Sequence, residues 1–215
     1  MKFFRTFDES LIYPITKGET TPANFADKKK KILKLIETAA DLRIPLIQIR
    51  EKLLSAKLLF ELTAAAAQIT KKTETRLLVN DRADIAFAAN ADGVHLTSAS
   101  LSADVIRRVF PQDFIVGVSA HSLAEVQKAK LQKADFAVFS PIFSTPNKGE
   151  PVGLRKLREV FERVKPFPVL GLGGINETNY ESVLEIADGF AAIRFLNDTE
   201  NLRKLMKGVN LAKKN

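Results

Sequence analysis

The chain has 215 residues and no cysteine, so disulfides and thiolate metal centres are excluded. Hydrophobic residues make up 46% and charged residues 27%, a globular composition in a length that suits one α/β domain. A formal charge of +8 invites a nucleic-acid reading, but the densest run, Lys28 to Lys31, opens an amphipathic helix and reads as a solvated face.

No apolar stretch approaches the length needed to cross a bilayer. The N-terminus also lacks the apolar run of a signal peptide, so the expected location is cytoplasmic. Neither a nucleic-acid partner nor a membrane is expected. No residue pattern sets the oligomeric state, and a homodimer is carried as an expectation.

Short apolar runs alternate with segments of helical spacing. The predicted strands are Leu11–Thr16, Ile44–Arg50, Leu77–Asn80, Gly93–Leu96, Ile115–Ser119, Phe136–Phe139, Pro168–Leu172 and Gly189–Ile193. The predicted helices lie near Phe25–Leu42, Ser55–Lys72, Ala83–Ala89, Ser102–Phe110, Ser122–Gln132, Lys156–Val164, Glu177–Ile186 and Thr199–Lys213. Strict alternation predicts a parallel sheet with crossover helices, and eight repeats predict a single-domain (β/α)8 TIM barrel over 1–215. Ser55, Ser102 and Ser122 are candidate N-caps, the last with Glu125 as its capping-box partner. A doubly wound sheet is the competing fold, but the Gly-x-Gly-x-x-Gly turn expected after its first strand is missing.

In such barrels the chemistry sits where strands run into their following loops. Alternation sends Gln48 and Arg50 to one face and Ile49 to the other. Arg50, with Lys52 and Lys148 at the same rim, makes a cationic cluster suited to a diphosphate. The competing role for Arg50 is a structural pair with Glu51, Asp81 or Asp84. Gly173-Gly174 lets backbone amides approach a phosphate at the following helix N-terminus. Asp81 is a candidate magnesium ligand, or else the partner of Arg82 or Lys52. His95 lies between apolar neighbours and reads as a satisfied core side chain, whereas His121 follows a strand end directly and can transfer protons near neutral pH.

Six segments in order carry a family resemblance: Gln48-Ile49-Arg50-Glu51-Lys52, Asn80-Asp81-Arg82, Asp92-Gly93-Val94-His95-Leu96, Gly117-Val118-Ser119-Ala120-His121, Pro141-Ile142-Phe143-Ser144-Thr145 with Lys148, and Gly171-Leu172-Gly173-Gly174-Ile175. Over most of its length the chain resembles the thiamine phosphate synthase and thiazole tautomerase family. The resemblance implies a (β/α)8 barrel that couples hydroxymethylpyrimidine diphosphate to thiazole phosphate with the help of magnesium. It places Gln48 on the pyrimidine, Arg50, Lys52, Asn80, Ser119 and Lys148 on the diphosphate, and Asp81 on the metal. Thr145, Asn147, Gly174, Ile193 and Arg194 fall at the thiazole phosphate.

The chain departs from the synthase pattern at Ser100, where the second metal carboxylate is usual, at Arg194, where a serine is usual, and at Asn147 and Lys17. The tautomerase branch, which needs no metal, would use His121 as the proton carrier. A barrel that binds phosphorylated ligands without turning them over is the third reading.

Overall fold

A computed structural model describes residues 10–146 and 149–212. Its strands are β1 Leu11–Pro14, β2 Leu46–Ile49, β3 Arg76–Asn80, β4 Gly93–Leu96, β5 Ile115–Ala120, β6 Phe136–Phe139, β7 Val169–Leu172 and β8 Gly189–Ala192. The helices are α1 Phe25–Asp41, α2 Ala56–Thr70, α3 Ala83–Ala88, α4 Ala103–Val109, α5 Leu123–Leu131, α6 Gly153–Val164, α7 Tyr180–Leu184 and α8 Thr199–Ala212. Short 3-10 turns at Pro22–Asn24 and Phe195–Asn197 precede α1 and α8. No described helix is long and apolar enough to cross a membrane.

All eight strands lie in one parallel sheet in the order β1-β8-β7-β6-β5-β4-β3-β2. The remaining seam, between β1 and β2, closes at one bridge, Ile15 to Gln48. There the Thr16 amide donates to the Gln48 carbonyl at 3.0 Å, and the Arg50 amide donates to Thr16 Oγ1 at 2.8 Å. The expected (β/α)8 barrel is therefore the fold, with one seam held by a buried threonine rather than by a full ladder.

Successive side chains of a strand point to opposite faces, and the two faces pack two separate cores. Leu11, Tyr13, Ile15, Leu46, Leu78, Ile115, Phe136, Val138, Leu170 and Ala191 fill the interior of the barrel. Alternating residues such as Ile12, Ile47, Val79, Val94, Val116 and Phe190 pack in the larger cluster with helix residues such as Ile36, Leu62 and Leu157. Gly117 makes room for the largest interior groups. A Cβ there would lie 2.4 Å from Phe136 Cζ and 2.9 Å from His95 Nδ1.

A repeat at the N-terminal ends of the strands stitches neighbours together. Asp92, Asp135 and Asp188, each preceded by alanine, stand immediately before β4, β6 and β8. Their carboxylates accept the amides of Leu77 at 2.8 Å, Val116 at 2.7 Å and Val169 at 2.8 Å, near the start of the strand alongside. Charged residues here serve stability, because the chemistry of the fold lies at the other end.

Three helices end in the same way. Arg43, Asn90 and Lys133 have φ of 55°, 58° and 63°, and the next residue's amide reaches back to the helix, as in Ala134 to Ala129 at 3.0 Å. These are Schellman turns with a side chain where glycine is usual. Elsewhere, Ser55 and Ser122 cap α2 and α5 as expected. Glu125, however, accepts the amide of His121 at 2.6 Å rather than that of Ser122. Ser102 stands at the start of α4 without making a cap bond.

Left-handed backbone is disfavoured for a residue with a Cβ. Replacing the exposed Lys133 with glycine is expected to raise stability by about 0.5–1 kcal/mol, read from denaturant midpoints. An unchanged or lower midpoint would show that this turn stores no strain.

Candidate functional site

At the C-terminal ends of β2 to β5 the alternation delivers polar side chains in place of interior apolar ones. Gln48 is buried at the end of β2, and its Nε2 donates to Asn80 Oδ1 at 3.1 Å. Asn80 Nδ2 in turn donates to Asp81 Oδ2 at 2.6 Å. A carboxylate accepts and cannot donate, so this chain has one polarity. It leaves Gln48 Oε1 as a buried acceptor with no partner among the described residues.

Asp81 itself is held by the loop after β4. Its Oδ1 accepts the Thr97 amide at 3.2 Å, the Thr97 hydroxyl at 2.9 Å and the Ser100 hydroxyl. Burial pushes this carboxyl up and is the largest single influence. The bonds from Ser100 and Thr97, with the charge of Lys52, outweigh it and hold the group below the usual carboxylate range. The alternative pairing with Arg82 is not formed, because Arg82 makes its own two-pronged contact with Asp84 at 2.8 and 2.5 Å.

Arg50 makes no ion pair with Glu51, Asp81 or Asp84. Its guanidinium lies against the backbone of Gly18, where a Cβ would stand 2.9 Å from Nη1. Glu51 is 3% exposed and accepts the amides of Gly18 at 3.1 Å and Thr20 at 2.9 Å, in the loop after β1. Lys52 is exposed. A cavity of about 260 Å³ opens at this corner, lined on its polar side by Glu51, Lys52, Asn80, Asp81 and Arg82. Hydrogen bonds thus join Gln48, Asn80 and Asp81, and Lys52 lines the cavity with the last two, while Arg50 lies on the Gly18 side. The charge of the helices is spent differently: Lys28, Lys29 and Lys31 contact Glu19, Glu61 and Asp27 at 2.7, 2.7 and 3.0 Å.

His95 is buried one layer beneath Ser119, since it lies in register with Gly117. Its Nε2 is 2.9 Å from Ser119 Oγ, and its Nδ1 is 3.4 Å from the Tyr13 hydroxyl. His121 is exposed at the rim, with Nδ1 2.8 Å from the Ser140 carbonyl. A carbonyl accepts, so that bond keeps the proton on Nδ1 and makes Nε2 the acceptor nitrogen of the neutral ring.

On the other side of the mouth, Gly173 and Gly174 have φ of +106° and +66°. A Cβ on Gly174 would lie 2.6 Å from the Ser144 carbonyl oxygen, so this glycine seats the loop after β6 as well as turning the chain. The Ile142 and Phe143 amides bind the carbonyls of Leu172 and Gly173, both at 2.9 Å. Thr145 donates to the Phe143 carbonyl at 3.1 Å. The helix expected directly behind the glycine pair starts only at Tyr180, because Asn176 and Asn179 form a turn first. The short helical turn that directly follows a strand end is instead Phe195–Asn197, behind Ile193 and the exposed Arg194. Asn147 and Lys148 lie outside the described residues.

Magnesium takes one or two carboxylates plus substrate phosphates. Among the described residues no group of three His, Cys, Asp or Glu gathers to hold a metal. Asp81 Oδ1 already receives three donors, whereas among the described residues Oδ2 receives Asn80 alone, so Oδ2 keeps the capacity that an ion would need. Ser100 holds that carboxylate rather than adding a second one. Sequence reasoning does not single out Tyr13 or Thr97; the one available signal is a phenol at an inward position of an otherwise apolar strand.

Burial, reinforced by the nearby Arg50 charge and opposed by Asp81, lowers His95 from 6.5 to about 4. Between these values the unfolded chain binds a proton that the folded chain refuses, so stability is lost as pH falls through that window. The loss is expected to reach about 3 kcal/mol. Unfolding curves at pH 7 and pH 4.5 would show it, and the His95→Gln variant should lose this part of the slope.

The family model described as thiamine monophosphate synthase matches residues 12–196. Thiamine-phosphate synthase of Moorella thermoacetica is 40% identical over 151 residues, covering 68% of this chain and 71% of the relative. Thiamine-phosphate synthase of Caldanaerobacter subterraneus is 34% identical over 192 residues, covering 86% and 89%. The solved structure of thiamine phosphate pyrophosphorylase from Pyrococcus furiosus superposes with a TM-score of 0.76 at 30% identity, over 92% of this chain and 96% of that one. The chain belongs to the thiamine monophosphate synthase family.

Proposed function

We propose that this barrel, acting as one domain, is a thiamine phosphate synthase, a transferase of thiamine biosynthesis that joins hydroxymethylpyrimidine diphosphate to thiazole phosphate and releases diphosphate. The observation that carries the reading is the buried Gln48 Oε1, unpartnered among the described residues, two residues before an arginine that forms no ion pair with any described residue. An acceptor of fixed polarity suits the exocyclic amine of an aminopyrimidine. A guanidinium at the next inward position suits the diphosphate on that ring's methylene.

In the reaction the bond between methylene carbon and diphosphate oxygen breaks, and the electron pair leaves with the diphosphate. The thiazole nitrogen then gives its lone pair to the methylene cation, so the step needs no protein nucleophile and moves no proton. Arg50 and Lys52 stabilise the charge that develops on the leaving group, and Ser119 and Asn80 supply hydrogen bonds to it. Bound magnesium would neutralise part of that same charge, held by Asp81. Gly174, Thr145, Ile193 and Arg194 border the receiving side for the thiazole phosphate, where the 3-10 turn after β8 presents its first amides. Asn147 and Lys148 complete the assignment on the strength of the sequence resemblance. A cytoplasmic homodimer belongs to the same proposal, with exposed apolar side chains such as Leu101 at 64% and Val109 at 70% in favour of association.

The tautomerase reading has its own observation, the exposed His121 with Nδ1 held by the Ser140 carbonyl, but leaves Gln48 and Arg50 without a task. Formation of thiamine phosphate from the two substrates with magnesium is the expected result. Removing the amide in Gln48→Ala should lower kcat/KM by roughly ten- to a hundredfold. No thiamine phosphate, together with aromatisation of thiazole carboxylate phosphate that is lost in His121→Ala, would overturn the reading.

The single carboxylate makes a second expectation. Ser100→Asp should tighten magnesium binding in the presence of diphosphate by about tenfold or more, because each added carboxylate raises the charge count of such a site. Titration calorimetry reads this directly, and an unchanged affinity would show that position 100 does not reach the ion.

A further inference from the structure

We propose that Tyr13 and His95 are positioning residues which aim the hydroxyl proton of Ser119 at the mouth of the barrel. Tyr13 is 0% exposed in the middle of β1, with its ring packed edge-on to Phe136 at 5.6 Å. Its hydroxyl meets one polar atom among the described residues, His95 Nδ1 at 3.4 Å. Burial pushes the phenol well above its ordinary value, so it keeps its proton. Burial likewise keeps His95 neutral at physiological pH, and a neutral imidazole has one N–H and one bare nitrogen.

Two tautomers are then possible, and the surroundings separate them. With the proton on Nδ1, that N–H would donate to the phenol oxygen, and the phenol O–H would be left with no acceptor among the described residues of the dry interior. With Nδ1 bare, the phenol donates to it. The imidazole proton then sits on Nε2 and donates to Ser119 Oγ at 2.9 Å. Ser119 Oγ, having accepted from below, turns its own hydrogen away from the imidazole. The serine lies half-buried at the inward end of β5, so that hydrogen faces the mouth.

The consequence is a hydroxyl that acts as a fixed donor toward an anion, instead of one free to donate back to the histidine. The phenol, two strand layers from the rim, thereby sets a hydrogen-bond direction it never touches. Gly117 makes the path possible, since any side chain there would collide with both Phe136 and His95. The tautomer is independent of the proposed activity; its effect on an anion rests on the diphosphate reading.

The chain has two histidines, so nitrogen-15 spectra of the histidine-labelled full chain, compared with His121→Ala, assign His95 unambiguously. The expected spectrum shows a bare Nδ1 and a protonated Nε2 in the wild type, and a mixture of tautomers in Tyr13→Phe. A protonated Nδ1 in the wild type overturns the proposal, and that spectrum decides even if Tyr13→Phe fails to fold. Calorimetry with inorganic diphosphate supplies the second arm. Tyr13→Phe and Ser119→Ala should each weaken binding by about three- to tenfold, and the double variant no further than Ser119→Ala alone. If Arg50→Ala weakens diphosphate binding but Tyr13→Phe does not, the relay fails and the diphosphate site stands. If neither Arg50→Ala nor Ser119→Ala changes it, the diphosphate reading fails, and the histidine spectrum alone judges the tautomer.

Discussion

Inward positions recur every second residue along a strand, about 6–7 Å apart, and this spacing ties the site to the core. On β2 the inward series is Leu46, Gln48 and Arg50, which climbs from the interior cluster through a buried amide to a guanidinium at the rim. On β5 it is Ile115, Gly117 and Ser119; on β6 it is Phe136 and Val138, followed by Ser140 just beyond the strand. Gln48 and Ser140 therefore stand directly above packed apolar residues, Leu46 and Val138, whereas Arg50 stands above Gln48 and Ser119 above Gly117. A one-residue slip of β2 would place Ile49 over the mouth and drive Arg50 toward the helices, so packing of the dry layer and presentation of the charges are a single constraint.

The mouth is further ordered by the direction of its hydrogen bonds. Asp81 can only accept, which orients Asn80 and then Gln48. Beside it, from β1 through β4 to β5, the buried phenol orders His95 and Ser119 in the opposite sense. One chain ends in an unpartnered acceptor and the other in a hydroxyl donor. Two ends of unlike polarity suit a ligand whose ring carries an amine and whose side arm carries an anion. Groups held in advance in this way lose little freedom when the ligand arrives.

Much of this was legible before the fold was known. Alternation placed Gln48 and Arg50 together, and the eightfold order of strands and helices carried the architecture. Three things were not legible. The start of α7 depends on Asn176 and Asn179 binding each other's backbone, a local competition that helical periodicity does not record. The part played by Glu51 depends on amides of Gly18 and Thr20, which sequence separation hides. Tyr13 looks like any large core residue until the strand opposite is known to carry His95. The alanine–aspartate repeat before β4, β6 and β8 was present as a pattern all along, but its meaning needs the neighbouring strand's amide.

Ser100 and Arg194, two of the four departures that the sequence resemblance points to, gain a common physical sense in the structure. Replacing a carboxylate with a hydroxyl at position 100 removes one negative charge, and placing arginine at 194 adds a positive one. Both changes raise the positive potential of the mouth, which already holds Arg50 without an ion pair among the described residues and Lys52 exposed to solvent. Ser100 still restrains Asp81 by donating to it, so the carboxylate that orients Asn80 is kept while the charge count around it falls. A rim with more fixed cations depends less on an ion brought in from solution to neutralise two phosphorylated ligands. The same fold can therefore divide the work of charge neutralisation differently between protein and metal, by exchanging single side chains at strand ends and leaving the packed layer beneath them unaltered.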